Sequence, residues 1–295
     1  MRVDRRTTFD GWLLPALLVL PQLLLTVFFF LWPAAEALWS SLTTTDPFGQ
    51  GSVFVGLDNF AELFSDPLYL QTILRTAVFC AVVSVLAMSA ALLLAVFADR
   101  EIRGRAIYRT LLIWPYAVAP AMAAVLWLFL LQPQFGLLGR WLNGHGIGWD
   151  YVVNGGQAFT MVALASAWKQ VSYDFIFFLA GLQSIPRAVT EAARMDGARG
   201  WHRFRTITFP LLAPTTFFLL VVNLVYAAFD TFGTIWALTQ GGPGKDTETL
   251  VIKVYRDGMV NQDIGGSAAQ SVVLMLGVIA LTALQFRFLG RRREV

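Results

Sequence analysis

The chain has 295 residues, of which 57% are hydrophobic and 14% charged, with a mean hydropathy of +0.61 and a formal net charge of +3. Ordinary soluble domains carry about 25% charged residues, so this composition excludes one and describes an integral membrane protein. A disulfide within the chain is excluded too, because the single cysteine, Cys80, has no partner.

A charge-free run of about 20 residues crosses roughly 30 Å of hydrocarbon as a helix, since every backbone hydrogen bond then closes internally. Residues 11–35, 76–98, 110–139, 206–229 and 264–286 contain no Asp, Glu, Lys or Arg, and a sixth apolar segment, 158–183, is interrupted only by Lys169 and Asp174. The expected architecture is an all-α membrane protein, one transmembrane domain over residues 1–295, with spans at 12–32, 74–98, 108–131, 158–183, 208–230 and 267–289. The first run follows Arg2, Arg5 and Arg6, and Ala35-Glu36-Ala37 imitates a cleavage site. Its apolar stretch nevertheless exceeds the roughly 7–15 residues of a signal peptide, so it reads as a retained span.

In the third span Pro115 and Pro120 each remove a helical hydrogen bond, which predicts a bend or local opening. In the fourth, Lys169 sits near midplane, where a charge costs about 2.5–3.5 kcal/mol on insertion scales. Gln170 and Asp174 share a stripe at i, i+4, which Lys169 and Asp174 do not. The fifth span carries Asn223, Tyr226 and Asp230 at i, i+3 and i+7, a polar line on an apolar helix. These six residues read either as the lining of a solute pathway or as a seam of hydrogen bonds between helices.

Positive residues near span ends stay cytoplasmic. Arg2, Arg5 and Arg6, the group Arg100, Arg103, Arg105 and Arg109, the run Arg187 to Arg205, and Arg287 with Arg291, Arg292 and Arg293 all fall on one side, which places both termini inside. The opposite connection, Pro33 to Gln71, holds Glu36, Asp46, Asp58, Glu62 and Asp66 without a Lys or Arg. In the two larger outer connections, 33–71 and 230–267, Asp46-Pro47-Phe48-Gly49 and Gly241-Gly242-Pro243-Gly244 read as turns. The basic residues are dispersed at helix ends rather than gathered on a soluble module, which excludes nucleic acid as a partner.

The connection between the fourth and fifth spans, 184–210, concentrates polarity in EAARMDGARGWHRFRTITFP. Ser184 is expected to cap a helix with Pro186 in its first turn, Gly197 to end that helix in the left-handed conformation, and a second short helix to run from Trp201 to about Thr206. Such a helix-turn-helix outside the membrane, with small Ala192 and Ala193, suits docking.

Glu191-Ala192-Ala193, then Gly197, Ile207 and Phe209-Pro210 resemble the EAA loop in permease subunits of binding-protein-dependent ABC importers of the maltose type, with Phe209 where that loop usually has Leu. The segments Trp114-Pro115-Tyr116-Ala117-Val118-Ala119-Pro120, Trp168-Lys169-Gln170-Val171-Ser172-Tyr173 and Phe229-Asp230-Thr231-Phe232 extend the likeness to the first permease subunits of glycerol-3-phosphate importers. The resemblance implies a six-helix permease fold whose coupling helix docks on an ATPase through Glu191, Ala192, Ala193, Asp196, Gly197, Ile207 and Pro210. It also implies a bacterial inner membrane location and, as partners, a different permease, two ATPase subunits carrying ATP and Mg, and an external solute-binding protein. By resemblance the solute is sn-glycerol-3-phosphate or a glycerophosphodiester; six helices alone admit a sugar permease equally well.

Other function classes lack their residues. No Ser-His-Asp arrangement, HExxH or paired carboxylates on one helix face appear, and His145 and His202 stand apart from other ligands, so no catalytic residue, metal site or resident cofactor is expected. The sole Gly-Lys, Gly244-Lys245, precedes Asp246 and lacks the upstream glycine of a phosphate loop. A stand-alone proton-coupled transporter remains a rival, with Lys169 and Asp174 as its relay.

Overall fold

The computed structural model describes residues 12–45, 51–99, 105–198 and 200–290. The Asp46-Pro47-Phe48-Gly49 turn and Arg2, Arg5, Arg6, Arg100, Arg103, Arg199, Arg291, Arg292 and Arg293 lie outside them. Helix α1 (Leu13–Ser40) leads to a hairpin of β1 (Thr43–Thr45) and β2 (Ser52–Phe54), in which Thr44 faces Val53. Then come α2 (Asp58–Ser65), α3 (Pro67–Ala98), α4 (Arg105–Ala117), α5 (Pro120–Leu131), α6 (Leu137–Gly144) and α7 (Gly155–Ser184). The order continues with α8 (Arg187–Met195), α9 (Gly200–Arg203), α10 (Ala213–Asp230), α11 (Phe232–Thr239), α12 (Leu250–Tyr255) and α13 (Ile264–Gly290).

Among the described residues, α1, α3, α10 and α13 are long and apolar enough to cross a bilayer, and α4 with α5 make a fifth crossing if the bent pair counts as one. The expected sixth segment, 158–183, falls in α7, whose 30 residues suffice in length but include Gln157, Lys169, Gln170, Asp174 and Gln183. That polarity is tolerated because α7 is the molecule's core helix. It runs beside α3 in the same direction: Phe79 meets Phe159 at one end, and Ala91 and Ala95 share a cluster with Phe175 and Phe178 at the other. Small buried residues make the close approach possible, Ala87, Ala91 and Ala95 on α3 and Ala163, Ala165, Ser166 and Ala167 on α7.

Several expected boundaries move. The first helix does not stop at residue 32 but runs through Ala35-Glu36-Ala37 to Ser40, and its last turns pack on α13. The second starts at Pro67, where the Asp66 carboxylate accepts from the Leu68 amide and so caps the helix. The third is broken by 105° between α4 and α5. Pro115 remains inside α4, whereas Pro120 opens α5 with Ala119 extended before it, as the pre-proline residue prefers. The fifth is preceded by a nearly continuous helical run from Gly200 to Leu211, and its apolar body starts at Ala213.

Candidate functional site

Two features stand out, at opposite ends of α7's second half. The first is the connection that follows Ser184. Ser184 itself is the last residue of α7 and donates to the Gly181 carbonyl at 2.8 Å, and the Pro186 carbonyl accepts from Val189 at 3.0 Å. Helix α8 ends as expected, with Gly197 at φ +80° and the Ala198 amide bonded back to the Ala193 carbonyl at 2.9 Å. Of the residues expected to dock, Glu191, Ala192, Asp196, Gly197 and Pro210 are exposed, Ile207 is half-buried and Ala193 is buried. The second arm begins at α9 and continues through a wide turn, Phe204–Thr208, stiffened by Trp201 stacked on Phe204 at 5.3 Å and Phe204 against Phe209 at 6.1 Å. Met195, 88% exposed, and Trp201, 71% exposed, leave apolar surface on this loop uncovered.

The second feature is a cleft of about 680 Å³ between the α4–α5 break, α7 and α10, lined by Tyr116, Pro120, Lys169, Gln170, Tyr173, Tyr226 and Asp230 with valines of α10. Its volume falls within the roughly 300–1,000 Å³ of small-molecule pockets. Tyr116 lies in the last turn of α4, so its carbonyl, like the last four of any helix, has no helical donor. The Lys169 ammonium takes that place, 3.4 Å from the Tyr116 carbonyl oxygen and 5.7 Å from the centre of its ring. The rings of Tyr116, Tyr173, Phe177 and Phe218 follow one another at 5.8, 4.8 and 5.2 Å, an aromatic track leading out of the cleft.

The sequence stripes divide here. Lys169, Gln170, Tyr226 and Asp230 line the cleft, but Asp174 and Asn223 do not: they are buried between α7 and α10, where Asn223 Nδ2 donates to Asp174 Oδ1 and to the Leu219 carbonyl, both at 2.8 Å. The line Asn223, Tyr226, Asp230 splits between its first two members: three residues of regular helix leave them about 60° apart around α10, so Asn223 enters the α7 contact while Tyr226 and Asp230, across the wider turn Tyr226–Asp230, both reach the cleft. Tyr226 also ties α10 to α7, donating to the Ser166 carbonyl at 3.2 Å.

The model of the family of binding-protein-dependent transport system inner membrane components matches residues 87–295, most of the chain and both features. The chain belongs to this family. It is 58% identical to the sn-glycerol-3-phosphate transport system permease protein UgpA of Brucella abortus biovar 1 (strain 9-941) and 56% identical to that of Rhizobium meliloti (strain 1021), with 98% of each chain covered in both comparisons. Identity to the protein of the same name from Yersinia pseudotuberculosis is 55%, over 95% of each chain. A solved bacterial ABC transporter involved in import of the acidic polysaccharide alginate shares the fold, with TM-score 0.81 and 23% identity over 95% of this chain and 96% of that one. The same holds for the alginate transporter in complex with its pentasaccharide-bound periplasmic protein, at TM-score 0.79 and 24% identity over 94% and 93%.

Within this inner-membrane component, Asp174 and Asn223 lie in the contact between α7 and α10. Asp174 Oδ2 and Asn223 Oδ1 are both buried without a partner among the described residues, so an amide at 174 would add a donor for Asn223 while keeping the acceptor. Asp174→Asn should therefore melt close to the wild type. Asp174→Leu should lose about 0.6–1.7 kcal/mol, the range of hydrogen bonds between membrane helices. Melting of the purified assembly checks this, and equal stability of all three would mean the pair holds nothing together.

Proposed function

We propose that the chain is one membrane-spanning permease of an ATP-driven bacterial importer that takes sn-glycerol-3-phosphate or glycerophosphodiesters from an external solute-binding protein. The observation that carries this reading is full-length identity of 55–58% to permeases bearing the sn-glycerol-3-phosphate name. In it the chain pairs with a second, different permease, and two ATPase subunits bind and hydrolyse ATP with Mg, while this chain catalyses nothing itself. The exposed α8–α9 loop docks on one ATPase through Glu191, Ala192, Ala193, Asp196, Gly197, Ile207 and Pro210. Lys169, Gln170, Tyr226 and Asp230 line the solute's path.

A sugar importer is the weaker alternative, because the alginate transporters share the fold at 23–24% identity whereas the glycerol phosphate permeases share more than half of all residues. A self-sufficient proton-coupled transporter needs Lys169 and Asp174 to exchange a proton, yet Lys169 turns to the Tyr116 carbonyl and Asp174 to Asn223. Reconstituted with its partner permease, ATPase and binding protein, the chain should import labelled sn-glycerol-3-phosphate only with ATP. Uptake by the chain alone, or none by the full assembly, would overturn the reading.

Both termini are cytoplasmic in this arrangement, at the side that carries the docking loop. With Cys80 replaced, cysteines at exposed Asp58 and Gln240 should react with an impermeant thiol reagent from outside, and one at His202 only after permeabilisation. Labelling at His202 in intact spheroplasts would reverse the orientation.

A further inference from the structure

Lys169 is the one described cation in the cleft, and no carboxylate pairs with it: the ion pairs among the described residues are Lys253 with Asp257 and Arg256 with Glu248, both elsewhere. Its hydrogen-bonding partner is a neutral carbonyl at 3.4 Å, a long contact that leaves two of the three ammonium hydrogens unspent. Tyr173, one helical turn on, and Tyr116 across the break stand beside it with ring centres 5.8 Å apart. The other charge in the cleft is Asp230, exposed at the end of α10, and Gln170 and Tyr226 supply neutral polar groups between. A cation at one wall, a carboxylate at another and hydroxyl and amide groups between them suit a solute with an anionic group at one end and hydroxyl donors at the other.

Resting on the importer reading above, we infer that Lys169 is the residue that selects for anionic solutes, and that the Tyr116 carbonyl left open at the end of α4 holds its ammonium in place until a solute arrives. A phosphate oxygen accepts from an ammonium far more strongly than a neutral carbonyl does, so an arriving phosphate takes the ammonium from Tyr116. The broken helix thereby loses one of the contacts that tie its bend to α7, beside the Tyr116–Tyr173 ring contact that remains. The break before Pro120 thus does two things: it bends the span and, by ending α4 at Ala117, leaves an acceptor that satisfies Lys169 without a carboxylate that would cancel its charge.

The test uses the complete transporter in liposomes, with sn-glycerol-3-phosphate and a neutral, phosphate-free analogue that the same binding protein admits. Lys169→Gln and Lys169→Met should reduce uptake of the phosphomonoester by about tenfold or more, the value of a lost hydrogen bond to a charged group, and reduce uptake of the neutral analogue much less. Lys169→Arg should restore the preference. Normal co-purification of the Gln variant with the partner permease keeps a folding defect out of the comparison. Equal loss for both solutes, or loss for neither, in variants that assemble would overturn the assignment of Lys169. Absence of ATP-driven uptake of either solute by the wild-type assembly would overturn the importer reading instead.

Discussion

Glu191→Lys is expected to reduce ATP-driven uptake by about thirtyfold or more, the effect of losing an interface hot spot of roughly 2 kcal/mol, while the permease pair still assembles. Glu191 is exposed on α8 and has no hydrogen bond or ion pair among the described residues, so a reversed charge there chiefly alters the surface offered to the ATPase. Gly197→Pro should do the same for a different reason. Proline fixes φ near −65°, and Gly197 stands at +80°; the turn would have to reopen, and the second arm with Trp201 would shift relative to α8. Gly197→Ala is the informative control. Nothing lies within 4 Å of a Cβ built at 197, so alanine meets only the left-handed strain of about 1–2 kcal/mol and should keep most of the uptake. Uptake, ATP hydrolysis and co-purification of the two permeases are the measurements. Normal uptake in both Glu191→Lys and Gly197→Pro would remove the docking role from this loop.

Much of this was readable in the chain because membrane helices are specified by long, simple patterns. Charge-free runs marked α1, α3, α10 and α13, and Gly197 announced its own conformation, since few other residues adopt positive φ without strain. What the stripes concealed was which neighbour each residue meets. Asn223, Tyr226 and Asp230 read as one line, but Asn223 lies about 60° around the helix from Tyr226 and meets Asp174, while the other two reach the cleft. Lys169 was visible as a costly charge, but its partner was not, because the partner is a main-chain carbonyl. A signal for it was present: a proline pushes the residue before it out of the helical region, so a helix ending just before Pro120 leaves the Tyr116 carbonyl open in its last turn. Tyr173, four residues after Lys169, was likewise legible as its neighbour on the same helix face.

Arg256→Ala should destabilise the protein by about 3–5 kcal/mol, the cost of leaving a buried charge without its partner. Glu248 is 1% exposed, and the Arg256 guanidinium is its ion-pair partner among the described residues. The same guanidinium donates to the Gln240 carbonyl at 2.7 Å, where α11 ends in a left-handed residue, so one side chain closes the loop from Gln240 to Thr249 at both ends. That loop is anchored to α3, with Arg75 donating to the Glu248 carbonyl at 3.4 Å and the Leu250 amide to Thr76 Oγ1 at 2.8 Å. Lys253 offers the contrast. Its partner Asp257 is half-buried, and burial pushes that carboxyl up, but hydrogen bonds from Lys253, Gln270 and Asn261 outweigh it and hold the group below the ordinary carboxylate value. Two of those donors survive in Lys253→Ala, which should therefore cost about 1 kcal/mol or less. Adding Glu248→Gln to Arg256→Ala removes the stranded charge and should return most of the loss, because the glutamine is neutral and the loop keeps its ties to Arg75 and Thr76. Thermal melting of the three variants decides the matter: if Arg256→Ala melts with the wild type, Glu248 is not held by that arginine, and if the double variant is no better than the single, the loss comes from the Gln240 carbonyl rather than from a buried charge.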